Sequence, residues 1–236
     1  MRALFYGIGL QFKLDIRSKS MLITCYLVPL IFFFFMGGIF TSIDTAAVKT
    51  LIASMTVFTV TMSALMGLPP AIAEIYGTDI KKVYKANGAP IWFGIITQFI
   101  SSFLHTVFVC IIIFAVSSLV FKAELPSELL WYFLSLTVLL ALTLSIGCII
   151  GLLFKQQAKL TMIAMIVFLP SIMLSGIMFP AEMLPRFMQY IAYAFPATIA
   201  FKAMTDFQVW HIPVLLAIFV ASLGAIALLL KLKTKR

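Results

Sequence analysis

Gln98, Ser101, Ser102 and His105 stand at i, i+3, i+4 and i+7 inside a stretch with no ionisable Asp, Glu, Lys or Arg from 86 to 121. In a helix that spacing makes one polar stripe along an otherwise apolar rod. A polar stripe facing lipid is costly, so this one is expected to face protein or a water-filled path. Interhelical packing, contact with a transported cargo and proton handling by His105 are all open to it. The residues that bond-making chemistry would need are missing. There is no G-x-x-x-x-G-K-[ST] phosphate loop, no H-E-x-x-H, no G-x-S-x-G and no pair of carboxylates within an apolar run. Cys25, Cys110 and Cys148 lie in apolar runs without CxxC spacing and point to neither disulfide nor metal. No catalytic and no metal site is expected, and the chain is not expected to be an enzyme.

A second group with a readable purpose is E-I-Y-G-T-D-I-K-K-V-Y-K-A-N-G-A-P, from Glu74 to Pro90. Thr78 suits a helix N-cap, and Asp79 suits the positive end of the helix dipole. Lys81, Lys82 and Lys85 sit toward the negative end. Asn87-Gly88 is a stop signal, and Pro90 is able to open the next helix. Ile80, Val83 and Tyr84 form one apolar face. Two turns of helix are not stable alone in water, so 78–86 must dock on a soluble partner, on its own bundle or on headgroups.

The elements that position these groups follow from composition. The 236 residues are 63% hydrophobic and 11% charged, with mean hydropathy +1.15. A water-soluble domain needs far more polar surface. The net charge of +9 would suggest nucleic acid in a soluble chain, but the basic residues sit between apolar runs. Windows free of Asp, Glu, Lys and Arg occupy 20–43, 50–73, 86–121, 129–154, 160–181 and 207–230. Each reaches the ~20 residues that a spanning helix needs. The next window, 187–201, is too short to span as a helix. The expected fold is an all-α membrane protein with six transmembrane helices at 21–40, 50–73, 91–121, 129–154, 160–179 and 209–230. Six spans put both termini on one side. That side carries 13 of the 17 Lys and Arg, so both termini are expected to be cytoplasmic.

Residues 1–19 show no cleavage site after a short apolar core and are not expected to be a signal peptide. Leu4, Phe5, Ile8, Phe12 and Ile16 share one arc of a helical wheel, with Arg2, Lys13 and Arg17 beside it. This pattern suits an amphipathic helix lying at the membrane interface. Asp15 falls inside the apolar arc and conflicts with it. Thr56, Thr59, Thr61 and Ser63 in the second span are expected to bond their own helix or a neighbour. Pro69-Pro70 is expected to end or kink that span. Thr143, Gly147 and Gly151, four apart, make a face that admits close helix approach without naming its partner. Leu169 to Phe201 is almost wholly apolar yet holds Pro170, Pro180, Pro185 and Pro196. A proline removes an amide donor and clashes with the preceding turn, so a break is expected near Phe179-Pro180. After it, 180–201 is expected to turn and dip back as a re-entrant segment, which survives in a membrane only where protein or trapped water satisfies the backbone.

Two stretches resemble the membrane subunit of ABC-2-type ATP-binding-cassette exporters. One is Glu74, Gly77-Thr78 and Pro90, similar to an E-x-x-G-T…P pattern between spans two and three. The other is Ser175-Gly176-Ile177-Met178-Phe179-Pro180, Leu184-Pro185, Ile191-Ala192 and Phe195-Pro196, similar to the segment after span five. The resemblance implies a bacterial plasma-membrane permease, paired with a second copy or a homologous permease and docked on a separate ATPase. ATP and Mg would be held by that ATPase and no cofactor by this chain; membrane lipid and no nucleic acid would be its other partner. It also implies that Glu74, Gly77, Thr78, Asp79, Ile80, Lys81, Val83, Tyr84 and Lys85 couple to the ATPase. Ser175, Gly176, Phe179, Pro180, Phe195 and Pro196 would form an outer gate, with Gln98, Ser101, Ser102 and His105 on the substrate path. The many Phe and Met and the uncharged spans favour an amphipathic or hydrophobic cargo: a drug, an antimicrobial peptide or a lipid. An ion-coupled carrier and a non-transporting membrane sensor are the alternatives.

Overall fold

The computed structural model describes residues 2–43, 45–78, 86, 88 and 90–234. Among these the fold is helical throughout, with six helices long and apolar enough to cross a membrane: Lys19–Ser42, Val48–Gly77, Phe93–Leu119, Leu129–Leu153, Gln157–Leu174 and His211–Lys233. A leader helix, Arg2–Arg17, precedes them. Two short helices, Arg186–Ala192 and Pro196–Thr205, lie between spans five and six.

Spans two and four form the centre. Their most apolar windows are 83% and 72% buried, against 22–39% for the other four, whose outer faces are left for lipid or another chain. The two central spans meet along the Gly147/Gly151 face. A Cβ built on Gly147 would lie 2.3 Å from the carbonyl oxygen of Ala64, and one on Gly151 2.6 Å from that of Pro69. The partner of the small-residue face is therefore the near-terminal half of span two. Thr56 and Tyr132 join the same two spans through hydroxyls 2.6 Å apart. Of the other span-two hydroxyls, Thr61 donates to its own helix at Val57 O, 2.7 Å away. Thr59 and Ser63 are buried without a hydrogen-bond partner among the described residues.

Pro69-Pro70 does not end span two. A π-helical turn at Ser63–Gly67 runs directly into the helix Leu68–Gly77. Widening one turn re-registers the ladder ahead of a proline whose amide is missing. The first span repeats the device, with a π turn at Ile23–Leu27 ahead of Pro29. There Val28 N–H reaches back to Ile23 O, and the two π turns pack on each other.

The fifth span also departs from expectation. Pro170 lies inside its helix without breaking it, and the helix ends at Leu174 rather than near Phe179-Pro180. Ser175 is the C-cap, and Gly176 follows at φ 87°. That left-handed conformation costs glycine nothing and is a common helix stop. The terminator is thus the glycine, ahead of the proline. Beyond it, Ala181–Met183 forms one 3₁₀ turn. Pro196 opens the helix whose Ala197, Ile199, Ala200 and Ala203 are buried against spans two, four, five and six.

We expect Gly147→Leu to lower the thermal aggregation midpoint of the purified protein sharply. Overpacking costs about 1–3 kcal/mol even where side chains can yield, and here the obstacle is backbone. Gly38→Leu, which meets nothing within 4 Å, should leave the midpoint unchanged.

Candidate functional site

The leader helix lies along span three. Leu4, Gly7, Ile8, Gln11, Phe12 and Asp15 are its shielded positions, three and four apart. This contact stripe runs through Asp15, whereas Phe5 and Ile16, placed in the apolar arc by the helical wheel, are exposed. Gly7 sits so close to Phe93 that an added Cβ would lie 2.6 Å from its ring.

The polar stripe of span three meets this helix. Asp15 is 5% exposed. Its carboxylate accepts from Gln11 Nε2 at 2.9 Å, from Gln98 Nε2 at 3.2 and 3.3 Å, and from Ser101 Oγ at 2.5 Å. No basic side chain pairs with it among the described residues. Deeper along the stripe, the His105 ring stacks on Phe12 at 4.1 Å, and its Nδ1 shares a 2.5 Å hydrogen bond with the Tyr26 hydroxyl. Ser102 is buried beside Gln98, with Gln98 Nε2 3.5 Å from its Oγ. Two buried acceptors or donors of the stripe, Gln98 Oε1 and His105 Nε2, have no partner among the described residues. The structure thus joins Asp15, Phe12 and Tyr26 to the four stripe residues. The sequence signal for that contact was the acid inside the leader's apolar arc.

The second site lies at the end of span two. Glu74 and Thr78 are exposed, and the Thr78 hydroxyl donates to Glu74 O at 2.7 Å. Asp79, Ile80, Lys81, Val83, Tyr84 and Lys85 lie outside the described residues, as does most of the 78–86 helix expected here. The bases of this loop are described. Tyr76, 4% exposed, donates its hydroxyl to Ile91 O and accepts from Ile95 N–H at 3.2 Å. Ile95 belongs to the first turn of the span-three helix, whose amides have no intrahelical acceptor. Tyr76 therefore caps span three from span two, a role that spacing alone does not reveal. Pro90 stands just outside that helix, which begins at Phe93. Glu74, Gly77 and Thr78 face Lys155 and Gln157 of the turn between spans four and five across a cleft of about 330 Å³.

The residues proposed for an outer gate are brought together only in part. Ser175 is buried and donates to Ile172 O at 2.8 Å. Gly176 faces the ring of Phe201 in the Pro196–Thr205 helix. Phe195 N-caps that helix, and Pro196 is its first residue. Phe179 is 49% exposed, and Pro180 precedes the 3₁₀ turn.

Asp15→Ala should leave the Ser101 hydroxyl unpaired, at about 1–3 kcal/mol, and Gln98 Nε2 with only its long contact to Ser102 Oγ. Hydrogen exchange of the leader amides should rise, while that of span four stays protected. Tyr76→Phe should speed exchange at the Ile95 amide by roughly fivefold, the equivalent of one neutral hydrogen bond.

Comparison with known proteins places the chain in a family. A stretch of 116 residues, 47% of this chain, is 35% identical to a protein named probable multidrug ABC transporter permease YbhS in Escherichia coli strain K12. The same figures hold for the YbhS of Escherichia coli O157:H7. The matched stretch spans 30% of the length of each relative. The family model described as ABC-2 type transporter matches residues 4–209, and with that match over most of its length the chain belongs to the ABC-2 type transporter family.

Proposed function

We propose that this chain is the permease subunit of an ATP-driven exporter that moves an amphipathic or hydrophobic cargo outward across a bacterial plasma membrane. ATP and Mg sit on a separate ABC ATPase, and a second copy or a homologous permease completes the path. Family membership supports the transport role, and the multidrug designation of the YbhS relatives supports a drug-like cargo. The 13 of 17 basic residues on the terminus-bearing side support a cytoplasmic placement of that side. No Asp, Glu, Lys or Arg interrupts the six windows, so the driving energy enters from outside the bilayer.

The observation that carries this reading is the Tyr76 clamp. Tyr76, on the last turn of span two, bonds through its hydroxyl to Ile91 O and Ile95 N–H at the start of span three, so the two ends of the segment from Thr78 to Pro90 are joined at its base. A push on the loop is thereby delivered to spans two and three together. The apolar face of Ile80, Val83 and Tyr84 is the surface on which an ATPase would push. Closure of two ATPases would then rock the spans, and the Ser175–Pro196 region would gate the outer end.

One observation speaks for an ion-coupled carrier instead: Asp15, a buried carboxylate set against span three. An ATPase variant unable to hydrolyse ATP separates the two readings, because transport stops under the first and continues under the second.

The Val83→Asp/Tyr84→Asp variant should insert normally, lose capture of the ATPase and lose export. Unchanged export by a correctly inserted variant would contradict the coupling role.

A further inference from the structure

A cleft of about 410 Å³ opens between the leader helix, the start of span one, the end of span two and the start of span three. Its size falls within the range of about 300–1,000 Å³ typical of small-molecule sites. We propose that this cleft binds the ammonium, or another cationic head, of an amphipathic molecule. The inference rests on the exporter reading and gives it a cargo class and a point of entry.

Charge comes first. Asp15 and Glu74 both line the cleft, and no basic residue does among the described residues. Lys13, Arg17 and Lys19, close by in sequence, are exposed and outside the lining. The donors around Asp15 are all neutral, so its negative charge is hydrogen-bonded but not cancelled. In a chain of net charge +9, a recess whose described lining holds two acids and no base is set apart from its surroundings. A buried, uncancelled charge acts through a low dielectric and attracts a counter-ion more strongly than an exposed one.

The second observation is Gln98. It lines the cleft, is 1% exposed, and its Oε1 has no partner among the described residues. The amide nitrogen is committed to Asp15, so the oxygen is left as an acceptor. A buried acceptor without a donor costs free energy, and an N–H⁺ group would satisfy it. Leu14, Met21 and Ile75 supply an apolar wall. Hydrocarbon attached to the cation fits that wall, whereas a bare metal ion would need converging ligands. No group of His, Cys, Asp and Glu able to hold a metal occurs among the described residues.

The test uses the full chain in phosphatidylcholine nanodiscs, with empty discs subtracted. Octylammonium and octyl sulfate, alike in chain and opposite in charge, are the probes in equilibrium dialysis. The expected result is saturable binding of the ammonium and none of the sulfate. Glu74 is exposed, so Glu74→Gln should fold normally and weaken ammonium binding by roughly tenfold, the loss of one charge-assisted contact. Asp15→Asn should weaken it further. Equal saturable binding of both ions, or an unchanged ammonium affinity in Glu74→Gln, would overturn the proposal. Displacement by an equal concentration of magnesium would overturn it too, since the site would then be one for an inorganic cation. The assay contains neither ATPase nor nucleotide, so its failure removes the cleft and leaves the ATPase-coupled reading standing.

Discussion

Spans two and four touch through backbone, and the rest of the bundle is arranged around that contact. The absence of side chains at Gly147 and Gly151 lets the carbonyls of Ala64 and Pro69 lie against span four. In a membrane, where lipid tails are as apolar as Leu, close packing of this kind replaces the hydrophobic drive that holds soluble helices together. The contact falls at the π turn and its following prolines, where the helix ladder of span two is re-registered. The widened turn is thus placed where the two helices meet backbone to backbone. Span six and the Pro196–Thr205 helix then pack on span four, and span one packs on span two.

Around this centre, polar groups are satisfied by pairing elements distant in sequence. Tyr76 closes spans two and three at the base of the segment between them, and Asp15 holds the leader to span three through Gln98 and Ser101. Span three is therefore tied to the loop at one point and to the leader at another. Motion imposed on the loop would be shared by span three and the leader, and the walls of the acidic cleft belong to these same elements. If the loop is where an ATPase docks, as proposed, this linkage would carry its motion to the walls of the cleft.

The six spans were legible because a bilayer demands long uncharged runs, and the windows between ionisable residues supplied them. The Gly147/Gly151 face was legible as a close-packing surface, but its partner was not, since spacing on one helix says nothing about another. The same limit applied to Asp15 and the stripe from Gln98 to His105. Each was visible as an anomaly, an acid on an apolar arc and a polar line on an apolar rod, and only the fold shows them to be two halves of one contact. Two proline expectations were met only in part. Pro69-Pro70, expected to end or kink span two, does not end it and follows a widened turn, and Gly176 ends span five before Pro180 is reached. In both cases backbone freedom nearby, rather than proline itself, decided the outcome.

The most direct measurement is native mass determination of the chain co-expressed with a candidate ABC ATPase from the same source and purified in nanodiscs. The account predicts a stable assembly of two permease subunits and two ATPases. A well-folded permease that elutes without any ATPase would contradict it and move a carrier or sensor to the front.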